Sequence, residues 1–405
     1  MARQPPSKSS PRRAAVRAIR RPPAGKAGSS PGAAKPAATP ARGLDDLRAR
    51  IDTVDAQLHE LLNQRARLAR QVGVSKHRDG HLVDFYRPER EAQVLQQALQ
   101  RNALAREGGA LRDEEILRLF REIMSACLAQ EEPLKIAFLG PEGTFTQTAV
   151  HKHFGHSVRA LPLASIDEVF HEVEAGQADF GVVPIENSTE GSVNHTLDRF
   201  LSSPLKICGE VELRINQCLM GRMASLDQIR RVCTHPQSLA QCRQWLNEHL
   251  PDVERIPVSS NAEGARRARD EVGTAAIAGR TAAEVYGLTL LAAEIEDRPD
   301  NTTRFFVVGG RLFGPSGRDR TTLLVSTGKT ESPGALYRLL EPLAQNGVSM
   351  TRIESRPSQR GKWDYVFFFD IEGHVDDPPV AAALAGLKSR ASLYRVLGSY
   401  PRAIL

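Results

Sequence analysis

The chain has 405 residues, too many for one compact core, and its 41% hydrophobic and 25% charged content is that of ordinary globular domains. No apolar stretch approaches the roughly 20 residues that cross a bilayer, which excludes a helical membrane protein. The net charge of +6 would suggest a nucleic-acid binder, but residues 1–43 carry ten basic and no acidic side chains, leaving 44 basic against 48 acidic residues beyond them.

Residues 1–43 are rich in Pro, Ala, Ser and Gly, too poor in apolar groups to offset their ordering entropy, and are expected to be disordered. They lack the apolar core of a secretory signal. An Arg-rich, acid-free stretch has the look of an organelle transit peptide, but a tail upstream of the true start or a loose polyanion-binding arm fits better. Without aromatic interleaving or a DNA-binding motif, nucleic acid is not the expected partner. The five cysteines (Cys127, Cys208, Cys218, Cys233, Cys242) are odd in number and make neither a C-x-x-C pair nor a zinc spacing. They read as free thiols of a reducing compartment, the cytoplasm, with no metal and no cofactor expected.

From Leu47, the apolar residues Leu47, Ile51, Val54, Leu58, Leu61, Leu62, Leu68 and Val72 recur at threes and fours, the helical period. One helix of about 30 residues is roughly 45 Å long, more than a domain of about 90 residues can cover. Two further helices near 87–105 and 112–130, and a second subunit against the long one, are the expected remedy. Arg65 and Lys76, eleven residues apart, return to within about 20° of one helix face. Arg48 lies about 25 Å along the axis from Arg65, so if all three serve one small ligand, Arg48 comes from a partner helix.

After Pro133 the period changes. Lys135 to Gly140 is a short apolar run into a Gly-Pro turn, a strand. Strands over 180–184, 206–213, 231–234, 275–278 and 305–308 then alternate with helical stretches, an α/β domain over 134–310. From Thr321 the order is strand, helix, strand, strand, helix, strand to about residue 400, the βαββαβ pattern of a ferredoxin-like module.

Three motifs stand in order: Pro184-Ile185-Glu186-Asn187-Ser188-Thr189-Glu190-Gly191, Asp300-Asn301-Thr302-Thr303-Arg304-Phe305 and Glu354-Ser355-Arg356-Pro357. A hydroxyl beside a guanidinium suits elimination from a small polycarboxylate. With Phe138-Leu139-Gly140-Pro141-Glu142-Gly143-Thr144-Phe145 and Thr234-His235-Pro236-Gln237-Ser238-Leu239-Ala240-Gln241-Cys242, the trio resembles the bifunctional chorismate mutase/prephenate dehydratases of phenylalanine biosynthesis. The resemblance covers roughly 44–405. It implies an all-α mutase domain over 44–132, a two-lobed, periplasmic-binding-protein-like α/β dehydratase domain over 134–310, and an α+β ferredoxin-like ACT domain over 321–400. Chorismate is then rearranged to prephenate, which loses CO₂ and hydroxide to give phenylpyruvate, with phenylalanine as inhibitory effector of a homodimer or larger homo-oligomer.

The mutase resemblance rests on Leu47-Arg48-x-x-Ile51-x-x-x-Asp55, Leu61-Leu62-x-x-Arg65, Val72-Gly73-x-x-Lys76 and Arg87-Pro88-Glu89-Arg90. It implies that a partner's Arg48 and Arg65 clamp carboxylates, Lys76 donates to the ether oxygen, Glu89 accepts from the ring hydroxyl, and Phe85 adds a contact. The chain departs from the family at Cys127, where a hydroxyl is usual, at Pro88, and at Glu131, where some members carry Gln; Glu131 can donate to the ether oxygen only when protonated. In the cleft the resemblance makes Thr303 the essential donor, with Arg304 or a nearby cation holding a carboxylate, and Asn187, Thr234 and Gln241 as further contacts. His235, before a proline, reads as a structural or surface residue. Gly334, Ala335 and Leu336, opening a helix, and Glu354, Ser355 and Arg356 are the expected phenylalanine site. The rival readings are a non-catalytic small-ligand-binding regulator and a dehydratase preferring the amino analogue arogenate.

Overall fold

The computed structural model describes residues 41–78, 86–105, 110–130, 133–327, 333–358 and 364–404. The chain divides into two units after His59. The expected disorder of 1–43 lies outside the described residues except at 41–43, which belong to α1 (Ala41–Arg78). That helix has 38 residues, more than its period predicts. Its apolar stripe is bare in each unit: Leu47, Ile51, Val54 and Leu58 before the division, and Leu61, Leu62, Leu68 and Val72 after it, are all exposed.

Two shorter helices follow close to their expected places. Pro88 starts α2 (Pro88–Leu104), where a missing N–H costs nothing. Asp113, Glu114 and Glu115 open α3 (Asp113–Leu128), where acids favour the helix dipole. Their buried residues include Ala92, Leu95 and Ala98 on α2 and Leu117 and Cys127 on α3.

The α/β part is two lobes. The chain builds most of the first lobe with β1 (Lys135–Leu139), α4 (Phe145–Phe154), β2 (Arg159–Leu163), α5 (Ile166–Glu174), β3 (Phe180–Asn187), β4 (Gly191–Ser192), α6 (Asn194–Ser202) and β5 (Lys206–Arg214). It then crosses to the second, made of β6 (Cys218–Gly221), β7 (Arg231–Thr234), α7 (Pro236–Gln241), α8 (Arg243–His249), β8 (Glu254–Pro257), α9 (Asn261–Asp270), β9 (Thr274–Ala278), α10 (Arg280–Tyr286) and β10 (Thr289–Ala292). It returns through β11 (Thr302–Gly309), which slots between β3 and β5. The sheets run β2-β1-β3-β11-β5 and β10-β6-β9-β7-β8. The outgoing and returning chains lie side by side, Ile215 N donating to Asn301 O at 2.8 Å, so the lobes share a double crossing.

The last part runs β12 (Asp319–Ser326), α11 (Ala335–Gln345), β13 (Met350–Pro357), β14 (Tyr365–Glu372), α12 (Pro378–Lys388) and β15 (Leu393–Pro401). Its antiparallel order, β13-β14-β12-β15, is the ferredoxin-like one, so the βαββαβ expectation holds. Leu323, Val325, Phe369 and Ile371 turn one face toward both helices. The other face joins the first lobe, where Leu324, Phe368, Leu397 and Tyr400 share a core with Ile207, Phe306 and Val308. β15 comes so close to β5 that a Cβ at Gly398 would collide with the Ile207 carbonyl.

Candidate active site

A cavity of about 510 Å³ opens between the lobes at the double crossing. Its first-lobe wall includes Thr144, Phe145, Asn187, Thr303 and Phe305; Gln217, His235, Gln237, Ser238, Gln241 and Asn261 come from the other side. Among the described residues the lining holds no Asp, Glu, Lys or Arg, and His235 is its one ordinarily titratable side chain.

Thr144, His235, Ser260 and Gly279, the N-caps of α4, α7, α9 and α10, all line the cavity, so four helix N-termini turn their partial positive charge toward it. Their approach depends on missing side chains. Gly143, with φ at 84°, turns the chain into α4, and a Cβ at Gly279 would meet the Phe145 ring at 2.7 Å.

Asn187 and Thr303 face each other across the β3–β11 ladder. Asn187 Oδ1 accepts from the backbone N–H groups of Thr189 (2.9 Å) and Glu190 (3.1 Å). Because those groups can only donate, the amide nitrogen is fixed on the other side. There it donates to Asn301 Oδ1 (2.8 Å) and Thr303 Oγ1 (2.9 Å). Thr303 thus uses an acceptor lone pair on Asn187 and keeps its own proton for a ligand. A register shift between Arg304 and Phe305 lets Pro184 as well as Asn187 face the cavity.

Gln217 spans the crossing, its amide nitrogen donating to Ser238 Oγ and Gln241 Oε1, both at 3.1 Å. Its buried Oε1 has no partner among the described residues. His235 caps α7, Nδ1 accepting from Gln237 N at 3.3 Å, which puts the proton of the neutral ring on Nε2. Its ring also lines the cavity, which the expected structural or surface role did not include.

Thr303, Asn187 and Gln241 line the cavity; Arg304 and Thr234 do not. Arg304 is next to Thr303 on a strand, and so points out of the back of the sheet. Its guanidinium is taken up by Glu210, Asp370 and Tyr400 rather than a substrate carboxylate. Thr234 is fully buried beneath the wall, donating to Ile277 O (2.6 Å) and within 2.8 Å of Asn261 Oδ1. Sequence reasoning missed Asn301, Gln217, Ser238, Ser260 and Asn261. For Ser260 a signal existed in Ser260-x-x-Glu263, a capping box before a helix; Gln217 stands alone in its segment.

In the helical part Arg48 is exposed and ion-paired to Asp45 at 3.4 Å. Arg65 is half-buried, Cys127 is buried in α3, and Glu89 at the start of α2 holds a buried Oε2 with no partner among the described residues. Lys76 is on α1, but its side chain lies outside the described residues, as do Phe85 and Glu131. Gly334 caps α11 with φ at 75°, and Ala335 and Leu336 begin the helix. Along β13, Glu354 accepts from Ser192 Oγ (2.7 Å) and Arg356 is bidentate on Asp198 (2.9 Å). Ser355, between them, faces solvent.

A helical part, a two-lobed cleft and a ferredoxin-like module define a class. Family models for chorismate mutase type II, prephenate dehydratase and the ACT domain match residues 47–132, 136–311 and 322–388. The bifunctional chorismate mutase/prephenate dehydratases of Pseudomonas aeruginosa and Stutzerimonas stutzeri are each 53% identical over 366 residues, covering 89% of this chain and 98% of theirs. A solved prephenate dehydratase from Arthrobacter aurescens in complex with L-Phe is 40% identical, covers 67% of this chain and 90% of its own, and superposes with a TM-score of 0.62. The chain belongs to the bifunctional chorismate mutase/prephenate dehydratase family.

Proposed function

We propose that the chain rearranges chorismate to prephenate in its helical domain, converts prephenate to phenylpyruvate in the cleft, and is inhibited by phenylalanine bound to the ACT domain. The observation that carries this is the Thr303 hydroxyl in the wall of a cavity with no charged side chain among the described residues, oriented by Asn187 with its proton free. Four helix N-termini suit a dicarboxylate there without a cation to neutralise either carboxylate. As the ring carboxylate leaves as CO₂, its bonding pair forms the new ring double bond and the ring C–OH bond breaks. Thr303 donates a hydrogen bond to the departing oxygen, which leaves as hydroxide and takes up a proton from solvent.

The mutase step moves no proton, so its catalysis is the holding of one conformer and the stabilising of charge on the ether oxygen. Arg65, Lys76, Glu89, Phe85, Cys127 and Glu131 serve it together with Arg48 from a second subunit. The bare stripe of α1 supports that second subunit: an identical stripe would cover it in a homodimer. The Oε2 of Glu89, without a partner among the described residues, suits a ring hydroxyl. Five buried free cysteines suit a cytoplasmic enzyme.

One assay supplying chorismate and following prephenate and phenylpyruvate tests the whole proposal. Sequential appearance of both is expected, slowed by phenylalanine. Failure to consume either substrate would leave a non-catalytic ligand-binding protein.

A further inference from the structure

Thr303 and Asn187 face the cavity, and the residues beside them in sequence, Arg304 and Glu186, are also ladder partners and face the back of the same sheet. That back is where the ACT module packs. Arg304 Nη1 donates to Asp370 Oδ2 on β14 at 2.6 Å, and Nη2 donates to the Tyr400 hydroxyl on β15 at 3.1 Å. Nε donates to Glu210 Oε2 on β5 at 2.8 Å. Glu186 lies 4.0 Å from Arg304 and 3.1 Å from Arg352 Nε on β13. Each member of the cavity pair is therefore one peptide away from a side chain that ends on the ACT sheet.

The linkage is stiff. Asp370 and Glu210 are buried, and their other oxygens are occupied: Thr322 donates to Asp370 Oδ1 (2.7 Å), and Ala403 N donates to Glu210 Oε1 (3.0 Å). Burial works against the charge of Arg304, yet Tyr400, Asp370 and Glu210 around it more than reverse that effect and keep it a cation. A joint needed only for packing would be served as well by apolar side chains. A buried cation between two acids cannot let go of either, so Arg304 follows any movement of β14.

We propose that Arg304 is a positioning residue, clamped by Asp370 and Tyr400, through which the ACT sheet sets the aim of Thr303 toward Asn187 and so the dehydratase rate. Phenylalanine acts on turnover by shifting β13 and β14 and, with them, the backbone at Arg304 and Glu186. Arg352 and Glu354 give β13 a grip of its own, since Arg352 Nη2 donates to Ser192 Oγ at 2.7 Å and that hydroxyl donates to Glu354.

The proposal rests on the dehydratase reading of the preceding section, and its test separates the two. Asp370→Asn removes the charge that ties Arg304 to β14, leaving Glu210 on β5 to hold it, and keeps an amide of the same size beside Thr322. In the full-length protein, dehydratase kcat should fall about tenfold with KM nearly unchanged, as for a misaimed donor. Phenylalanine should still bind with wild-type affinity by calorimetry but no longer slow the remaining dehydratase activity, and the mutase rate should stay at its wild-type value. A purely structural role would instead lower both activities and the melting temperature together, and that outcome overturns the proposal, as does a folded variant with wild-type kcat and full inhibition. If Asp370→Asn does not fold, Tyr400→Phe, which removes one hydroxyl from the clamp, decides by the same readouts with a smaller drop. Hydrogen exchange across residues 300–306 reads the linkage without turnover. Faster exchange in Asp370→Asn is expected, and unchanged exchange overturns it even if wild-type protein proves inactive on prephenate.

Discussion

The cleft and the helical domain assemble their polar groups in opposite ways. The cleft takes Thr144, Asn187, Gln217, His235, Asn261 and Thr303 from distant segments and brings them around one cavity within a single chain. The helical domain strings Arg48, Arg65 and Lys76 along one helix with an uncovered apolar stripe. Sheet edges and helix N-termini converge on a point, so a site built from them closes on itself. A single long helix diverges from any point, and its side chains become a site only when something else lies against them.

The largest effect expected from this contrast is at Thr303. Thr303→Ala should lower dehydratase kcat by about 10²–10⁴-fold, the range for losing a positioned proton donor, while the mutase rate holds. Thr303→Ser, which keeps the hydroxyl, should recover part of it. Steady-state assays with prephenate and with chorismate check both, and near-normal phenylpyruvate formation by the Ala variant would remove Thr303 from the mechanism.

Asn187→Ala should follow with a loss of about 10–100-fold in dehydratase kcat, what one hydrogen bond of about 1–3 kcal/mol allows. Because Asn187 orients Thr303, adding Asn187→Ala to Thr303→Ala should cost little more. Multiplicative losses in that double-mutant cycle would mean that the two residues act independently.

A smaller effect lies where the helices meet the cleft domain. Glu91 on α2 lines a small void with Tyr86, Arg121 and His153, and burial pushes its pKa up from 4.5 to about 7, opposed by Arg121. The unfolded chain releases this proton near pH 4.5, whereas the folded protein keeps it to about pH 7, so folding takes up a proton in between. This group's contribution to stability therefore falls as pH rises from about 4.5 to 7 and then levels off, by at most about 3 kcal/mol. Glu91→Gln should flatten that slope in denaturant melts; parallel pH profiles for variant and wild type would place its carboxyl in water.

Much of the fold was legible because periodicity reports which face is buried. The three-and-four spacing from Leu47 marked α1, and the order of apolar runs after Thr321 marked βαββαβ. Thr303, Asn187 and Gln241 were legible through motifs. Arg304 was misread because proximity in sequence was taken for proximity in space. Strand parity already forbids Thr303 and Arg304 from facing one cleft. Thr234 was misread because a strand-end threonine lines a cleft or braces it depending on which way the next helix starts, here α7, a choice made by tertiary contacts with Asn261 and Ile277. Gln217 gave no motif of its own, and Asn301, though inside the motif from Asp300 to Phe305, was passed over for Thr303 and Arg304; the role of both arises only where two crossing segments run side by side.

Subunit mixing tests the contrast between the two regions most directly. Arg48→Ala and Arg65→Ala chains, each inactive as a mutase, should regain mutase activity when mixed and allowed to exchange subunits, because one site of the mixed dimer holds both arginines. Thr303→Ala and Asn187→Ala chains mixed in the same way should show only the average of their separate dehydratase rates, because both residues belong to one chain's cleft. Recovery of dehydratase, or no recovery of mutase in mixtures shown to exchange, would contradict the assignment of a self-contained cleft and a shared helical site.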